Sequence, residues 1–122
     1  MRTGPGVRYP VIWVYQRRSL PVEVTDEFDT WRRVRDPDGE EGWVHQSMLS
    51  GQRTGVITSD VTPLYKGSTP SSAVLAQVSP GVVVTVERCP RQTDFCLIEA
   101  DGIEGWVKRG VFWGLYDGEE ID

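Results

Sequence analysis

DGEEGWVHQSMLSG (residues 38–51) recurs as DGIEGWVKRGVFWG (residues 101–114). The two stretches align without a gap and share Asp-Gly, Glu-Gly-Trp-Val and the final glycine. A long-period internal repeat means one supersecondary unit used twice, so it bears on the fold before any single residue does. Upstream, RRSLPVEV (17–24) lies beside SPGVVVTV (79–86), and YPVIWVY (9–15) beside SSAVLAQ (71–77). Equivalent positions are 62 residues apart early in the unit and 63 late, so small insertions and deletions fall in loops. The repeat divides the chain into residues 1–54 and 55–122, with the junction near GQRTGVITSD (51–60).

Within each unit the pattern is one of short strands. Val22 and Val24 alternate with Glu23, which is the period of a half-buried strand. WRRVRDPDGEEGWVH (31–45) has strand-forming residues on both sides of Asp36-Pro37-Asp38-Gly39, and that composition predicts a hairpin turn. Trp31 and Val34 are three apart, so a flat strand cannot bury both; a bulge, or a strand beginning at Trp31, reconciles them. HQSML (45–49) predicts one tight helical turn after the strand carrying Trp43. No segment holds a helical period over ten or more residues. The reading is all-β: two small barrels in tandem, each with Trp43 or Trp106 packed in its core.

Composition narrows the function classes. The chain has 122 residues, 13 glycines and 8 prolines, a turn-rich content that favours short strands. Thirteen basic residues against eighteen acidic ones leave a net charge of −5. Phosphate-backbone binding needs a basic surplus, so nucleic acid is not an expected partner. RRVR (32–35) is a local basic patch that reads as a solvent face paired with nearby acids. Four acids close the chain in DGEEID (117–122), an acidic C-terminal tail. The longest uncharged apolar run, Val11 to Tyr15, is far short of the roughly 20 residues of a membrane span.

The first half resembles the bacterial SH3 (SH3b, SH3-like) domain family. The residues that carry this are Arg2-Thr3-Gly4-Pro5-Gly6, Val11-Ile12, Arg17-Arg18, Val22-Glu23-Val24, Trp31, Val34 and Asp38-Gly39-Glu40-Glu41-Gly42-Trp43-Val44. The second half keeps Val84-Thr85-Val86 and Asp101-Gly102-Ile103-Glu104-Gly105-Trp106-Val107. Its LYKGSTPSS (64–72) departs from the Arg-x-Gly-Pro form, and Phe95 stands near the place of the Trp. The tandem arrangement is similar to SH3-like proteins exported to the envelope of Gram-negative bacteria. The resemblance implies two SH3-like barrels, a periplasmic or exported location, and recognition of cell-wall (peptidoglycan) peptides or another extended peptide. In the family a short strand precedes the Arg-x-Gly-Pro-Gly segment. Only Met1 stands there in this chain, so the first barrel is expected to have a truncated first strand. It would then lack an edge strand or borrow one from a neighbour, with oligomerisation possible through the open edge.

The chemistry-bearing residues are few. His45 is the one histidine; Ser47 lies two residues on, but no nucleophile elbow or metal-ligand spacing frames the pair. No catalytic residue, metal or cofactor is therefore expected. Cys89 and Cys96 flank PRQTDF (90–95) and read either as a disulfide closing a hairpin loop or as two reduced thiols filling a small core. Tyr9, Trp13 and Tyr15 share one strand parity while Ile12 and Val14 share the other. Together with Trp31 they are the candidate ligand-binding residues, forming a groove for extended peptides. The competing reading makes Trp13 and Tyr15 the glue between units. The matching functional alternative is a scaffold that binds another protein through the aromatic face of barrel 1 or the acidic tail.

Overall fold

The computed structural model describes residues 1–11 and 20–122. It divides into two compact units, Met1–Gly51 and Gln52–Asp122. In the first, β1 (Glu23–Phe28), β2 (Trp31–Arg35) and β3 (Glu41–His45) form an antiparallel sheet in the order β1-β2-β3. In the second, β4 (Thr54–Ile57), β5 (Thr62–Tyr65), β6 (Val74–Val78), β7 (Val83–Arg88), β8 (Phe95–Ala100), β9 (Ile103–Lys108) and β10 (Phe112–Trp113) form one sheet. Its order is β10-β4-β7-β8-β9-β5-β6. Two 3-10 turns, Gln46–Met48 and Arg109–Val111, are the only helical elements among the described residues. The chain is all-β, as the residue pattern predicts. Closure departs from the expected barrel: no pairing joins β6 to β10, so the seven strands are not hydrogen-bonded into a ring.

The repeat extends to individual hydrogen bonds. Arg2 bridges Val11 and Trp43 in the first unit, and Tyr65 pairs with Val74 and Trp106 in the second. Thr3 N–H donates to Pro10 O at 3.0 Å, and Lys66 N–H to Ala73 O at 2.8 Å. The β1–β2 ladder slips between Val24 and Asp26, and the β7–β8 ladder slips at the matching place, between Val86 and Arg88. That bulge sits on the strand opposite Trp31. Within β2, whose register is unbroken, Trp31 opens the strand and lies on the face opposite Val34, three residues on: Trp31 is half-buried and Val34 fully buried. Phe95 pairs with Lys108 as Trp31 pairs with His45, so Phe95 holds the place of that Trp.

The second hairpins differ by one residue. Asp36 builds the first: its Oδ1 accepts from Asp38 N–H at 3.0 Å and Glu40 N–H at 2.9 Å. Gly39 takes the φ of 88° that this turn needs. In the second unit Ala100 pairs with Ile103 across only Asp101 and Gly102, both at positive φ, a two-residue hairpin with the twist of its strands.

Strand parity decides what faces inward. Gly42 and Val44 are buried and Trp43 between them is half-buried; Gly105, Trp106 and Val107 repeat this. The expectation that both tryptophans pack in the core is therefore corrected. The period of two turns each Trp to the outer face and leaves Gly and Val facing in. The glycine is required by a close approach. A Cβ on Gly105 would lie 2.6 Å from Leu64 Cγ and 3.0 Å from Tyr65 O; on Gly42 it would lie 2.7 Å from Met1 Sδ and 2.9 Å from Arg2 O. Around Leu64 the second unit gathers Ile57, Val78, Val84, Val86, Ile98, Val107 and Phe112 as its core.

The C-terminal acidic segment is folded back onto the second unit. Arg53 donates to both carboxylate oxygens of Glu119, at 2.6 and 2.9 Å, and to Gly114 O at 2.7 Å. Arg109 donates to Glu119 O, Thr93 O, Cys89 O and Pro90 O. Ile121 pairs with Cys89, which is disulfide-bonded to Cys96.

Two outcomes follow from this packing. Gly105→Ala forces Leu64 or the Tyr65 backbone aside and should lower unfolding free energy by about 1–3 kcal/mol in a urea titration. The Arg53 hydrogen bond holds the Glu119 carboxyl below its ordinary pKa. A lowered folded-state pKa contributes stability that is present above the ordinary carboxylate range and lost as pH falls through the lowered value. Glu119→Gln should therefore cost about 1 kcal/mol at neutral pH, a figure already discounted for a pair partly open to solvent, and flatten the acid limb of the stability–pH profile.

Candidate functional site

Residues Thr3 to Pro10 form a loop whose neck is closed by the Thr3–Pro10 bond. Tyr9 folds back over the loop's own glycines: a Cβ on Gly4 would lie 2.5 Å from the ring, and one on Gly6 3.6 Å. The backbone bonds Gly6 N–H to Gly4 O (3.0 Å) and Tyr9 N–H to Gly6 O (3.2 Å) set this tight path. Arg2 ties the loop to the sheet. Its backbone exchanges two hydrogen bonds with Trp43, at 2.7 and 2.8 Å, while its guanidinium donates to Val7 O at 3.0 Å and Tyr9 O at 2.9 Å.

The Tyr9 ring carries a cation. Arg8 stands 5.1 Å from the ring centroid and reaches the hydroxyl at 3.2 Å. The result is an exposed guanidinium on a half-buried aromatic, a pairing suited to an anionic or amide-rich ligand that stacks while it hydrogen-bonds. Of these residues only Tyr9 was among the candidate binding residues; Arg2 stood only in the family motif and Arg8 was not singled out. Their signal was present as two arginines bracketing a Gly-Pro-Gly turn.

Trp31 sits elsewhere, at the start of β2. Its ring meets His45 edge-on, with centroids 5.4 Å apart and planes at 88°. His45 Nδ1 in turn accepts from Ser47 N–H at 3.2 Å and lies 2.8 Å from Ser47 Oγ, capping the 3-10 turn. Among the described residues no ring contact joins Tyr9 to Trp31. Trp13 and Tyr15, the other two candidates, lie outside the described residues, and with them the choice between a peptide groove and inter-unit glue.

The second unit keeps the loop frame and changes its chemistry. Gly67 and Ser72 stand where Gly4 and Tyr9 stand, an offset of 63 that corrects the 62 read for this stretch and matches Tyr9 with Ser72 rather than Ser71; a Gly67 Cβ would fall 2.7 Å from Ser72 Oγ. Ser72 N–H donates to Thr69 O as Tyr9 does to Gly6. No aromatic and no arginine occupies that loop, where Lys66, Thr69, Ser71 and Ser72 take their places. The aromatics lie on the sheet instead: Trp106 between Tyr65 and Leu97, and Tyr65 edge-on to Phe95 at 5.9 Å. Electrostatics differ too. In the first unit Arg35 lies between Glu23 and Glu41 and ion-pairs with Glu23. In the second, Glu99 and Glu104 face each other, and a hydrogen bond with Glu104, then burial and the Glu104 and Glu99 charges, raise the Glu87 carboxyl pKa.

Comparison with protein families matches the family described as Bacterial SH3 domain twice, over residues 1–51 and over 58–114. Comparison with curated proteins finds no match.

The loop's dependence on Arg2 is open to measurement. Arg2→Ala removes both bonds to the loop carbonyls and should speed hydrogen exchange at the Thr3 and Tyr9 amides, with a loss of about 1–2 kcal/mol in local opening energy. The Ser72 amide of the second unit should not change.

Proposed function

Because the chain belongs to the bacterial SH3 domain family, we propose that it is a non-catalytic module that binds an extended peptide, with peptidoglycan stem peptides the first candidate. Domains of this family are binding modules, commonly cell-wall related. The observation that carries the reading to this chain is the Arg8–Tyr9 pair on the Arg2-anchored loop. It presents a flat ring and an accessible guanidinium from a frame held by four hydrogen bonds: Thr3 to Pro10, Tyr9 to Gly6, and the two from Arg2. Such a surface suits a short peptide bearing carboxylates, because the guanidinium supplies two parallel donors while the ring stacks against the backbone or an apolar side chain. Trp31 supplies a second aromatic contact on β2.

The Cys89–Cys96 disulfide supports placement in an oxidising compartment, the periplasm or the exterior. No helix among the described residues is long and apolar enough to cross a membrane. The second unit, with a polar loop in place of Arg8 and Tyr9, serves as a companion that does not share this ligand.

A pull-down with purified sacculi tests the reading. Retention over a matched carbohydrate control is expected, with Arg8→Ala, Tyr9→Ala and Trp31→Ala each weakening it about tenfold, the effect of losing one well-placed contact. Retention no greater than the control, or retention indifferent to Tyr9→Ala, overturns it.

A further inference from the structure

Matching strands of the two units carry different charges on their outer faces, and the first unit shows what the second is fitted to hold. By the matching ladders, Glu23, Arg35, Arg33 and Glu41 of the first unit correspond to Thr85, Glu99, Leu97 and Glu104 of the second. In the first, arginines meet the acids of this row: Arg35 ion-pairs with Glu23, and Arg33, opposite Trp43, reaches Glu41 at 3.4 Å. In the second both cations are replaced, one by Glu99 and the other by Leu97. Glu99 stands directly opposite Glu104 and is held there by Gly102 N–H at 2.7 Å. Glu87, from β7 on the other side of β8, meets Glu104 as well; that contact first, then burial and the Glu104 and Glu99 charges, holds its carboxyl above the ordinary pKa. Three carboxylates thus converge over β8, and among the described residues no arginine or lysine ion-pairs with any of them. Arg88 and Lys108, the cations nearest in the ladder, stand opposite Leu97 and Phe95. Beside the acids runs an apolar rung of Leu97, Trp106 and Tyr65, each half-buried.

We propose that this face of the second unit binds a segment of another polypeptide through an arginine side chain, its guanidinium on the Glu87, Glu99 and Glu104 carboxylates beside Trp106 and a neighbouring apolar side chain on Leu97 and Tyr65. Charge complementarity selects the occupant. Like charges directly opposite one another are unfavourable in the free protein, and a guanidinium relieves them with forked, charge-assisted hydrogen bonds. The chain holds its own precedent: Glu41, the counterpart of Glu104, already takes the Arg33 guanidinium next to Trp43. A tryptophan adds cation–π attraction to the carboxylate pairing. Direction is set along β9, where the outward positions run Glu104, Trp106, Lys108, so the arginine is drawn to the Glu104 end and repelled from the other. This face takes a cation, whereas the Arg8–Tyr9 loop suits an anion, and the inference does not rest on the function proposed above.

The test uses the full chain and two blocked tripeptides, acetyl-Leu-Arg-Leu-amide and the same peptide with neutral citrulline in place of arginine, titrated with NMR as the readout. The expected result is saturable shifts at the Trp106 indole and at the Leu97 and Glu104 amides. The arginine peptide should bind at least about tenfold more tightly than the citrulline one, by a margin that shrinks as salt is raised. Glu104→Gln should weaken the arginine peptide about tenfold without lowering the urea midpoint, because the free row then loses a like charge. Glu99→Arg, which sets the first unit's cation into the row, should abolish binding. Four outcomes overturn the proposal: equal affinity for the two peptides, no shift at Trp106, binding indifferent to either substitution, or a Glu104→Gln loss that comes with a lowered urea midpoint and so marks a structural group.

Discussion

The contact on which both units depend is that of a side chain lying on the bare backbone of the glycine in Gly-Trp-Val. Leu64 covers Gly105, and Met1 covers Gly42, closer than any Cβ would permit. This approach brings the preceding strand onto the last strand of the hairpin, so that Tyr65 can pair with Trp106 and Arg2 with Trp43. From that crossing everything else is placed. Parity sends Trp outward and Val inward, the bulged strand carries Val24 or Val86 across from Val34 or Ile98, and the loop leaving Arg2 or Tyr65 returns to its neck. A small sheet has few side chains to bury, and a glycine that removes one layer of atoms lets a single leucine complete the seal.

One frame thus carries two surfaces. In the first unit the residues around the crossing are charged: Arg33 and Arg2 flank Trp43, and Arg8 covers Tyr9. In the second they are apolar, with Leu97 and Tyr65 flanking Trp106, and acidic residues crowd the neighbouring row. The Thr3–Pro10, Tyr9–Gly6 and Arg2–Trp43 backbone pairings each have a counterpart in the second unit, so at these places the difference is one of side chains laid over a shared lattice. A ligand that needs a cation on an aromatic ring is offered one by the first loop and a serine by the second.

Much of this was legible in the residues. The repeat located both hairpins, the Asp-Pro-Asp-Gly turn and the short helical turn after Trp43, because turn chemistry and strand period are local properties. The tension between Trp31 and Val34 called for a bulge or a strand start; β2 does begin at Trp31 and is itself regular, while the ladder slip lies on the facing strand. The facing of Trp43 and Trp106 was misread because repetition of a large aromatic suggests a core role, while the buried neighbours on either side of it settle the parity the other way. The folding back of the tail was not legible at all. It rests on Arg53 meeting Glu119 across 66 residues, a pairing between two ordinary surface-type side chains that no local pattern announces. Of the four candidate aromatics, Tyr9 is explained by the glycines beneath it and Trp31 by His45 at its edge.

The two units also solve one geometric problem by different means. Phe28 and Trp31 are joined through Asp29 and Thr30 alone, with Asp29 at a φ of 53°. In the second unit the ladder ends two rungs earlier, at Arg88 and Leu97, the counterparts of Asp26 and Arg33, and there a covalent sulfur link between Cys89 and Cys96 draws the longer excursion together. A thiol reductant therefore acts on one half of the molecule and passes over the other. The half bearing the arginine-covered tyrosine keeps its shape through backbone stereochemistry, which no change in redox poise can undo.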